Sequence, residues 1–154
     1  FDTTLRASVE LGVSSVTSLT TDRCVIKKNP AKTKSERWKK IVLESSKQCG
    51  RAKVPLVADD IESLEVFCRH NDDRDIKLVF WENESNNSLK NIKFDQVPCS
   101  VAVLIGPEGG FSLDEINIVR EYGFQAVRMG PRIIRSETAP VVVLALLQSF
   151  WGDL

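Results

Sequence analysis

The chain has 154 residues, and its 21 basic and 21 acidic side chains give a formal net charge of zero. This length favours a single domain, and the balanced charge predicts no general attraction to nucleic acid or to an anionic membrane surface. No apolar run approaches the ~20 residues of a membrane-spanning helix. The four cysteines are widely separated without a C-x-x-C pair, which favours reduced cytosolic thiols over a disulfide framework.

The first third of the chain predicts alternating helices and strands. Residues 5–11 have amphipathic helical spacing and precede Gly12, and glycine commonly follows a helix. Residues 13–19 predict a strand, because small polar residues separate their apolar positions. Ser35 is the predicted N-cap of a second amphipathic helix that ends at Gly50.

The middle of the chain continues this alternation. Residues 61–68 predict a helix, residues 76–81 a strand, and residues 83–91 a polar loop. The continuous apolar run at residues 101–105 is typical of a strand buried on both faces. Strands that alternate with helices predict an α/β fold with a mostly parallel sheet and helices on both faces.

A glycine-rich loop follows the strand at residues 101–105. Residues 106–110 contain three glycines, which allow the backbone to approach a ligand closely. Ser112 and Glu115 have the spacing of a capping box, so a helix should begin there and should end at Gly123. In an α/β sheet such a loop lies at the carboxyl ends of the strands, where ligands bind.

A second loop has a similar position after a strand predicted at residues 125–129. Gly130 and Pro131 interrupt that strand, and residues 132–138 lead into a final helix. Pro140 fits only in the first helical turn, so Thr138 is the predicted N-cap. The apolar residues that follow, 141–151, predict a helix buried against the sheet or against a second subunit.

The residue types argue against several classes of site. The only histidine, His70, lies in an Asn/Asp-rich segment, so neither a Ser-His-Asp triad nor a histidine-rich zinc site is expected, and we predict no metal. The glycine loop lacks the Gly-Lys-Ser/Thr of a phosphate loop and the G-x-G-x-x-G of a dinucleotide fold. Glu108 within it would repel a phosphate but suits a cationic or neutral ligand.

The segments IGPEGGF and MGPRIIRSETA together resemble the two loops of the ribosomal RNA small subunit methyltransferase E family. This family methylates uridine at N3 and belongs to the knotted SPOUT superfamily, which uses S-adenosylmethionine. Met129 and Ile134 replace the leucines usual in the family, and Pro140 follows the alanine. The resemblance also covers residues 9–13 and 36–51, and therefore most of the chain.

The resemblance implies one methyltransferase domain over residues 1–154, an α/β fold with a deep C-terminal trefoil knot that works as a homodimer. The implied substrate is a uridine in small-subunit (16S) ribosomal RNA, and the implied cofactor is S-adenosylmethionine. The family's small N-terminal RNA-binding β-barrel is not found in this sequence, so we expect the chain to be part of a longer protein. The expected cofactor-binding residues are Leu104, Gly106, Gly110, Met129, Gly130, Ile133, Ile134, Arg135 and Thr138.

Methylation of uridine N3 requires that the imide proton be removed or its loss be stabilised. Glu108 and Glu137 are the candidate proton acceptors, and Arg132 and Arg135 are candidate cations for the developing anion or a phosphate. Arg135 is the favoured substrate contact. Glu137 could equally stabilise the helix dipole beside Thr138. Trp81 and Glu82, at the end of a predicted strand, are weaker candidates.

Other interpretations remain open at this point. The basic residues concentrated between residues 23 and 53 fit either a solvated surface or an RNA phosphate-binding patch, and the resemblance favours the patch. The chain could instead be a knotted methyltransferase with another RNA target. It could also be a non-catalytic RNA-binding or ribosome-assembly module.

Overall fold

In the computed structural model, the described residues are 1–24, 31–92 and 97–154, with the backbone alone at 31–33. Part of the basic stretch, residues 25–30, therefore lies outside this description. In chain order the elements are α1 (Asp2–Glu10), β1 (Ser15–Val16), β2 (Leu19–Thr20), α2 (Ala31–Gln48), β3 (Leu56–Val57), β4 (Glu62–Ser63), α3 (Leu64–His70), β5 (Ile76–Phe80), a 3-10 helix (Leu89–Asn91), β6 (Val101–Ile105), α4 (Leu113–Glu121), β7 (Gln125–Val127) and α5 (Ala139–Trp151). No helix among these is long and apolar enough to cross a membrane.

The described residues form two compact units. Unit 1 contains residues 1–18, 31–62 and 137–154, and unit 2 contains residues 19–24, 63–92 and 97–136. The alternation of helices with parallel strands confirms the predicted α/β class, since β1 pairs in parallel with β3 and β5 pairs in parallel with both β6 and β7.

Unit 1 is built on α1, α2 and α5. Leu5 and Val9 of α1 form a buried cluster with Ile41 and Val42 of α2, which removes the apolar stripes of both helices from water. The guanidinium of Arg51 donates to the carbonyl oxygens of Val9 and Val13 at 2.9 and 2.7 Å. These two bonds tie the segment after α2 to the end of α1.

Unit 2 is built on a three-stranded parallel sheet in the order β6-β5-β7. Phe80 at the end of β5 is in register with Ile105 at the end of β6 and with Val127 at the end of β7. All three strands therefore end at the same edge of the sheet. The core beneath that edge consists of buried residues from the sheet, α3 and α4, among them Leu104, Phe111, Ile116, Val119 and Phe124.

The strongest local predictions are confirmed. The strand at residues 101–105 is β6, and α4 begins with the complete capping box of Ser112 and Glu115. Gly123, which follows α4, has a φ of 79°, a left-handed conformation that glycine adopts readily. Thr138 occupies the N-cap position of α5 with Pro140 in the first turn, although the Thr138 side chain makes no capping hydrogen bond.

Several predicted boundaries were wrong. Ser35 is not an N-cap, because α2 begins at Ala31; its buried hydroxyl donates to Asp59 at 2.9 Å, which lets it lie within the helix. The helix predicted at residues 61–68 begins at Leu64, since the Ser63 hydroxyl accepts the Val66 N–H and caps it there.

The strand predictions were also partly wrong. The single strand predicted at residues 13–19 is divided into β1 and β2, and the strand predicted at residues 125–129 ends at Val127. The short strands β3 and β4 were not predicted. Two-residue strands are shorter than the roughly four to eight residues over which alternation can be recognised, so a pattern search does not detect them.

Candidate functional site

Three loops begin at the common edge where β5, β6 and β7 end. We call them the β5 loop (residues 81–88), the glycine loop (residues 106–111) and the arginine loop (residues 128–136). The edge lies at the carboxyl ends of parallel strands, which is where α/β sheets bind ligands. The sheet register in unit 2 thus brings together the two segments that carry most of the predicted site residues.

Side chains at two positions of the glycine loop would displace their neighbours. Gly110 has a φ of 69°, and a Cβ added there would lie 1.9 Å from Oε1 of Glu82. A Cβ at Gly106 would lie 3.2 Å from the ring of Phe111, which is buried in the core. The loop is therefore a tight backbone turn, closed by a 2.9 Å hydrogen bond from the Gly110 N–H to the Pro107 carbonyl.

The end of the glycine loop is held by an extended capping box. The carboxylate of Glu115 accepts the Ser112 N–H at 2.8 Å with one oxygen and the Asp22 N–H at 2.8 Å with the other. The Ser112 hydroxyl also donates to Oδ2 of Asp22 at 2.7 Å. Glu115 is only 5% exposed, so these bonds satisfy a carboxylate that burial would otherwise destabilise. The sequence predicted the capping box but not the part played by Asp22.

A side-chain hydrogen bond joins the glycine loop to the arginine loop. The hydroxyl of Ser136 donates to Oε1 of Glu108 at 2.9 Å. The pKa of Glu108 is lowered, first by its own backbone N–H and then by the Ser136 hydroxyl. Glu108 is exposed and ionised at neutral pH, so it presents a negative charge between the two loops.

The arginine loop presents three of its side chains outward. Arg132 and Arg135 are exposed, and Ile133 is 86% exposed although it is apolar. At the start of the loop, the Arg128 N–H donates to the Asn87 carbonyl of the β5 loop at 3.0 Å. An exposed isoleucine between two exposed arginines is a surface that combines apolar contact with positive charge.

The β5 loop is organised by a carboxylate that sequence reasoning missed. Glu84 is 8% exposed, and its Oε1 accepts the N–H groups of Asn86 and Asn87 at 2.8 and 3.1 Å. The pKa of Glu84 is lowered, with the Asn86 N–H as the largest cause. Arg120 of α4 lies 3.5 Å from Oε2 of Glu84, so the loop is tied to a helix of the same unit. A glutamate just before two asparagines was the only local signal for this turn.

Comparison with known proteins identifies the family. Residues 1–148 match the family whose description is RNA methyltransferase domain. The chain belongs to this RNA methyltransferase family. The match confirms the resemblance inferred from the two loop motifs.

Individual relatives agree with the family assignment. The chain is 34% identical over 155 aligned positions to a ribosomal RNA small subunit methyltransferase E of Buchnera aphidicola, with 99% of this chain and 59% of that protein covered. A Legionella pneumophila protein solved with the cofactor SAM has 35% identity and a TM-score of 0.90, with 99% and 62% covered. A Neisseria gonorrhoeae ribosomal RNA small subunit methyltransferase E bound to S-adenosylmethionine has 35% identity and a TM-score of 0.85, again with 99% and 62% covered. The chain thus spans about 60% of the length of the relatives that it matches.

Within this RNA methyltransferase domain, most predicted site residues lie in the two loops of unit 2. Leu104 is different, since it is 1% exposed in β6 and supports the glycine loop from the core. Glu137 and Thr138 belong to unit 1. Glu137 is exposed, and its carbonyl accepts the Thr4 hydroxyl at 3.0 Å, while Thr138 stands at the N-cap of α5. The residues at the loops are Gly106, Glu108, Gly110, Met129, Gly130, Ile133, Ile134 and Arg135.

Proposed function

We propose that this domain binds S-adenosylmethionine and methylates N3 of a uridine in small-subunit ribosomal RNA. One observation carries the proposal: the glycine loop and the arginine loop start from in-register strand ends and are joined by the Ser136–Glu108 bond. Two similar solved structures, at 35% identity, hold this cofactor. Two relatives are named ribosomal RNA small subunit methyltransferase E, which supports small-subunit ribosomal RNA as the substrate.

The chemistry of the loops fits the proposed cofactor. S-adenosylmethionine carries a sulfonium and an amino group, and the ionised Glu108 places a negative charge at the loops. The three glycines of the glycine loop carry no Cβ, a feature that lets a ligand approach backbone groups. Met129 and Ile134, both partly buried, offer apolar surface to the adenine and ribose. When bound, the cofactor supplies an electrophilic methyl group.

In this reaction the protein has to place the cofactor and the uridine and to remove the N3 proton. The lowered pKa of Glu108 makes it a weak base, which favours a role in electrostatic binding over proton removal. We propose that Glu137, the other candidate carboxylate of the sequence, accepts the proton from N3 and that Arg135 stabilises the resulting uridine anion. A planar guanidinium suits this task, because it can donate two parallel N–H groups to a delocalised anion.

The proposal extends to RNA binding, although the basic stretch contributes less charge than its composition suggests. Within unit 1, Arg37 pairs with Asp2 and Lys39 pairs with Asp59. Other lysines of the stretch, such as Lys40, Lys47 and Lys53, are exposed. We propose that these exposed lysines contact RNA phosphates without reading the sequence.

We also propose the family's homodimer and C-terminal knot for this chain. Support for a dimer comes from α5, where Leu144 and Leu146 are only half-buried and Phe150 is 46% exposed. A second copy would cover this apolar surface. Light scattering at micromolar concentration should give twice the mass of the chain, and a monomer mass would contradict the dimer.

A labelling experiment tests the proposed function. The purified chain should transfer labelled methyl groups from S-adenosylmethionine to isolated small ribosomal subunits, and nucleoside digestion should yield 3-methyluridine. A different methylated nucleoside would favour another RNA target. Cofactor binding by calorimetry without any transfer to ribosomal RNA would favour a non-catalytic module.

A further inference from the structure

Arg23 contacts the glycine loop from the outside. Its Nη1 donates to the carbonyl oxygen of Gly109 at 2.9 Å. Its aliphatic stem lies against the same residue, because a Cβ added at Gly109 would be 3.0 Å from Cβ and 3.5 Å from Cδ of Arg23. Arg23 therefore makes both a charged hydrogen bond and a packing contact with one peptide of the loop.

That peptide, between Gly109 and Gly110, is held at both ends. Its carbonyl accepts from Arg23, and its N–H, which belongs to Gly110, donates to the Pro107 carbonyl at 2.9 Å. A peptide flanked by two glycines can rotate at low steric cost, because neither neighbour has a Cβ. The hydrogen bond from Arg23 thus selects one of the orientations that the sequence alone would allow.

Arg23 is itself fixed by the residue before it. The N–H of Asp22 donates to Glu115, and its carboxylate accepts the Ser112 hydroxyl, at 2.8 and 2.7 Å. Ser112 directly follows the glycine loop, so the backbone next to Arg23 is attached where that loop ends. The attachment fixes the backbone from which the Arg23 side chain reaches the Gly109 carbonyl.

We propose that Arg23 is a positioning residue for the cofactor site, acting through the orientation of the Gly109–Gly110 peptide. This inference rests on the proposed function, since it gives that peptide a part in a site for S-adenosylmethionine. A loop already held in its binding conformation does not lose conformational entropy again when the ligand binds. Arg23 should therefore affect cofactor affinity more than the rate at cofactor saturation.

The decisive variant is Arg23→Met, which keeps an apolar stem and removes the donor. The matched control is Arg74→Met, an exposed arginine of the same unit that lies before β5 and pairs with Asn71 and Asp73. A hydrogen bond from a charged group is worth about ten- to a hundredfold in an equilibrium constant. Because Arg23 is exposed, we expect the lower end, about tenfold.

Two measurements separate the local effect from cofactor binding. In the ligand-free protein, hydrogen exchange of the Gly110 amide should be about tenfold faster in Arg23→Met and unchanged in Arg74→Met. Calorimetry should show about tenfold weaker cofactor binding for Arg23→Met, while the methylation rate at saturating cofactor stays near wild type. Arg23→Lys should restore part of both effects, since an ammonium on a similar stem can reach the same carbonyl.

Other results would overturn the inference. Unchanged Gly110 exchange and unchanged cofactor affinity in a folded Arg23→Met protein would show that Arg23 does not position the loop. If that variant instead lost only RNA methylation, with a weaker salt dependence of RNA binding, Arg23 would be an RNA contact. Failure of the wild-type chain to bind the cofactor would overturn the proposed function. The exchange comparison would still report whether Arg23 holds the loop.

Discussion

The glycine loop and the arginine loop start at the same edge of one sheet but are built in opposite ways. In the glycine loop, Phe111 is buried, and the loop is held by hydrogen bonds to its own backbone and to Arg23. In the arginine loop, Arg132, Ile133 and Arg135 are exposed. A loop of fixed backbone suits recognition of a small cofactor, whereas outward side chains suit a large substrate. We therefore propose that the glycine loop serves the cofactor, whereas the exposed side chains of the arginine loop serve the RNA substrate.

The largest effect should come from Glu137, directly after the arginine loop. A general base contributes about 10²- to 10⁴-fold, so Glu137→Gln should reduce methylation by at least about a hundredfold and change its pH profile. Cofactor affinity should stay near wild type. If the variant shows only a small loss of thermal stability with normal methylation, Glu137 serves the helix dipole of α5 and the catalytic assignment is wrong.

The next largest effect should be on the backbone of the glycine loop. Gly110→Ala forces an L-residue into a φ of 69° and places a Cβ 1.9 Å from Glu82. Left-handed strain of about 1–2 kcal/mol and the clash together should weaken cofactor binding on the order of a hundredfold, as measured by calorimetry.

Gly50→Ala is the matched control for this change. Gly50 has a similar φ of 76° with nothing within 4 Å of an added Cβ, and it lies in unit 1. It should cost stability without weakening cofactor binding. Because the Glu82 carboxylate can move, adding Glu82→Ala to Gly110→Ala should recover part of the lost affinity. Normal cofactor binding by Gly110→Ala alone would show that the glycine loop is not the binding element.

Substitution of Arg135 should have a smaller effect, and it should lower the methylation rate rather than the cofactor affinity. Arg135→Ala should bind the cofactor nearly as wild type but methylate at least about tenfold more slowly, because a charged contact at a desolvated site contributes roughly 1.5–3 kcal/mol. Arg135→Lys should rescue little, since an ammonium lacks the planar fork. The methylation rate of Arg132→Ala, at the other exposed arginine of the same loop, serves as the comparison. A wild-type rate for Arg135→Ala, or a defect explained by unfolding alone, would make Arg135 structural.

The sequence predicted those parts of both loops that depend on neighbouring residues. The capping box of α4 and the first turn of α5 were recognised because their residues are three or fewer positions apart. Ser35 was assigned wrongly for the opposite reason: its partner, Asp59, is 24 positions away. Ser, Thr and Asp occur both in helix caps and in buried hydrogen bonds. The sequence does not distinguish these two roles until the distant partner is known.

The contacts that fix the glycine loop could not be predicted from the sequence, because their partners are also far apart along the chain. Asp22 and Glu115 are 93 positions apart, and Arg23 and Gly109 are 86 apart. In sequence, Arg23 was one of many basic residues in its stretch, so nothing marked it as a loop contact. The family resemblance predicted which two loops form the site, but the contacts between distant segments came only from the structure.

The smallest predicted effect concerns the bond that joins the two loops. Ser136→Ala removes the hydroxyl that donates to Glu108, so the pKa of Glu108 should rise toward its ordinary value of 4.5. It should remain below that value, because the larger cause, the backbone N–H of Glu108, is kept. An NMR titration of the Glu108 carboxyl measures the direction and the extent of this rise, with Ser149→Ala on α5 as the control.

Because the folded pKa of Glu108 is lowered, the hydrogen bond that links the two loops should be intact above pH 4.5 and should be lost as the pH falls through the lowered pKa. Lower protection of the arginine-loop amides at acid pH, measured relative to the slower intrinsic exchange there, and lower protection in Ser136→Ala already at neutral pH, would show this loss. An unchanged Glu108 titration in Ser136→Ala would mean that the two loops are held together by other contacts.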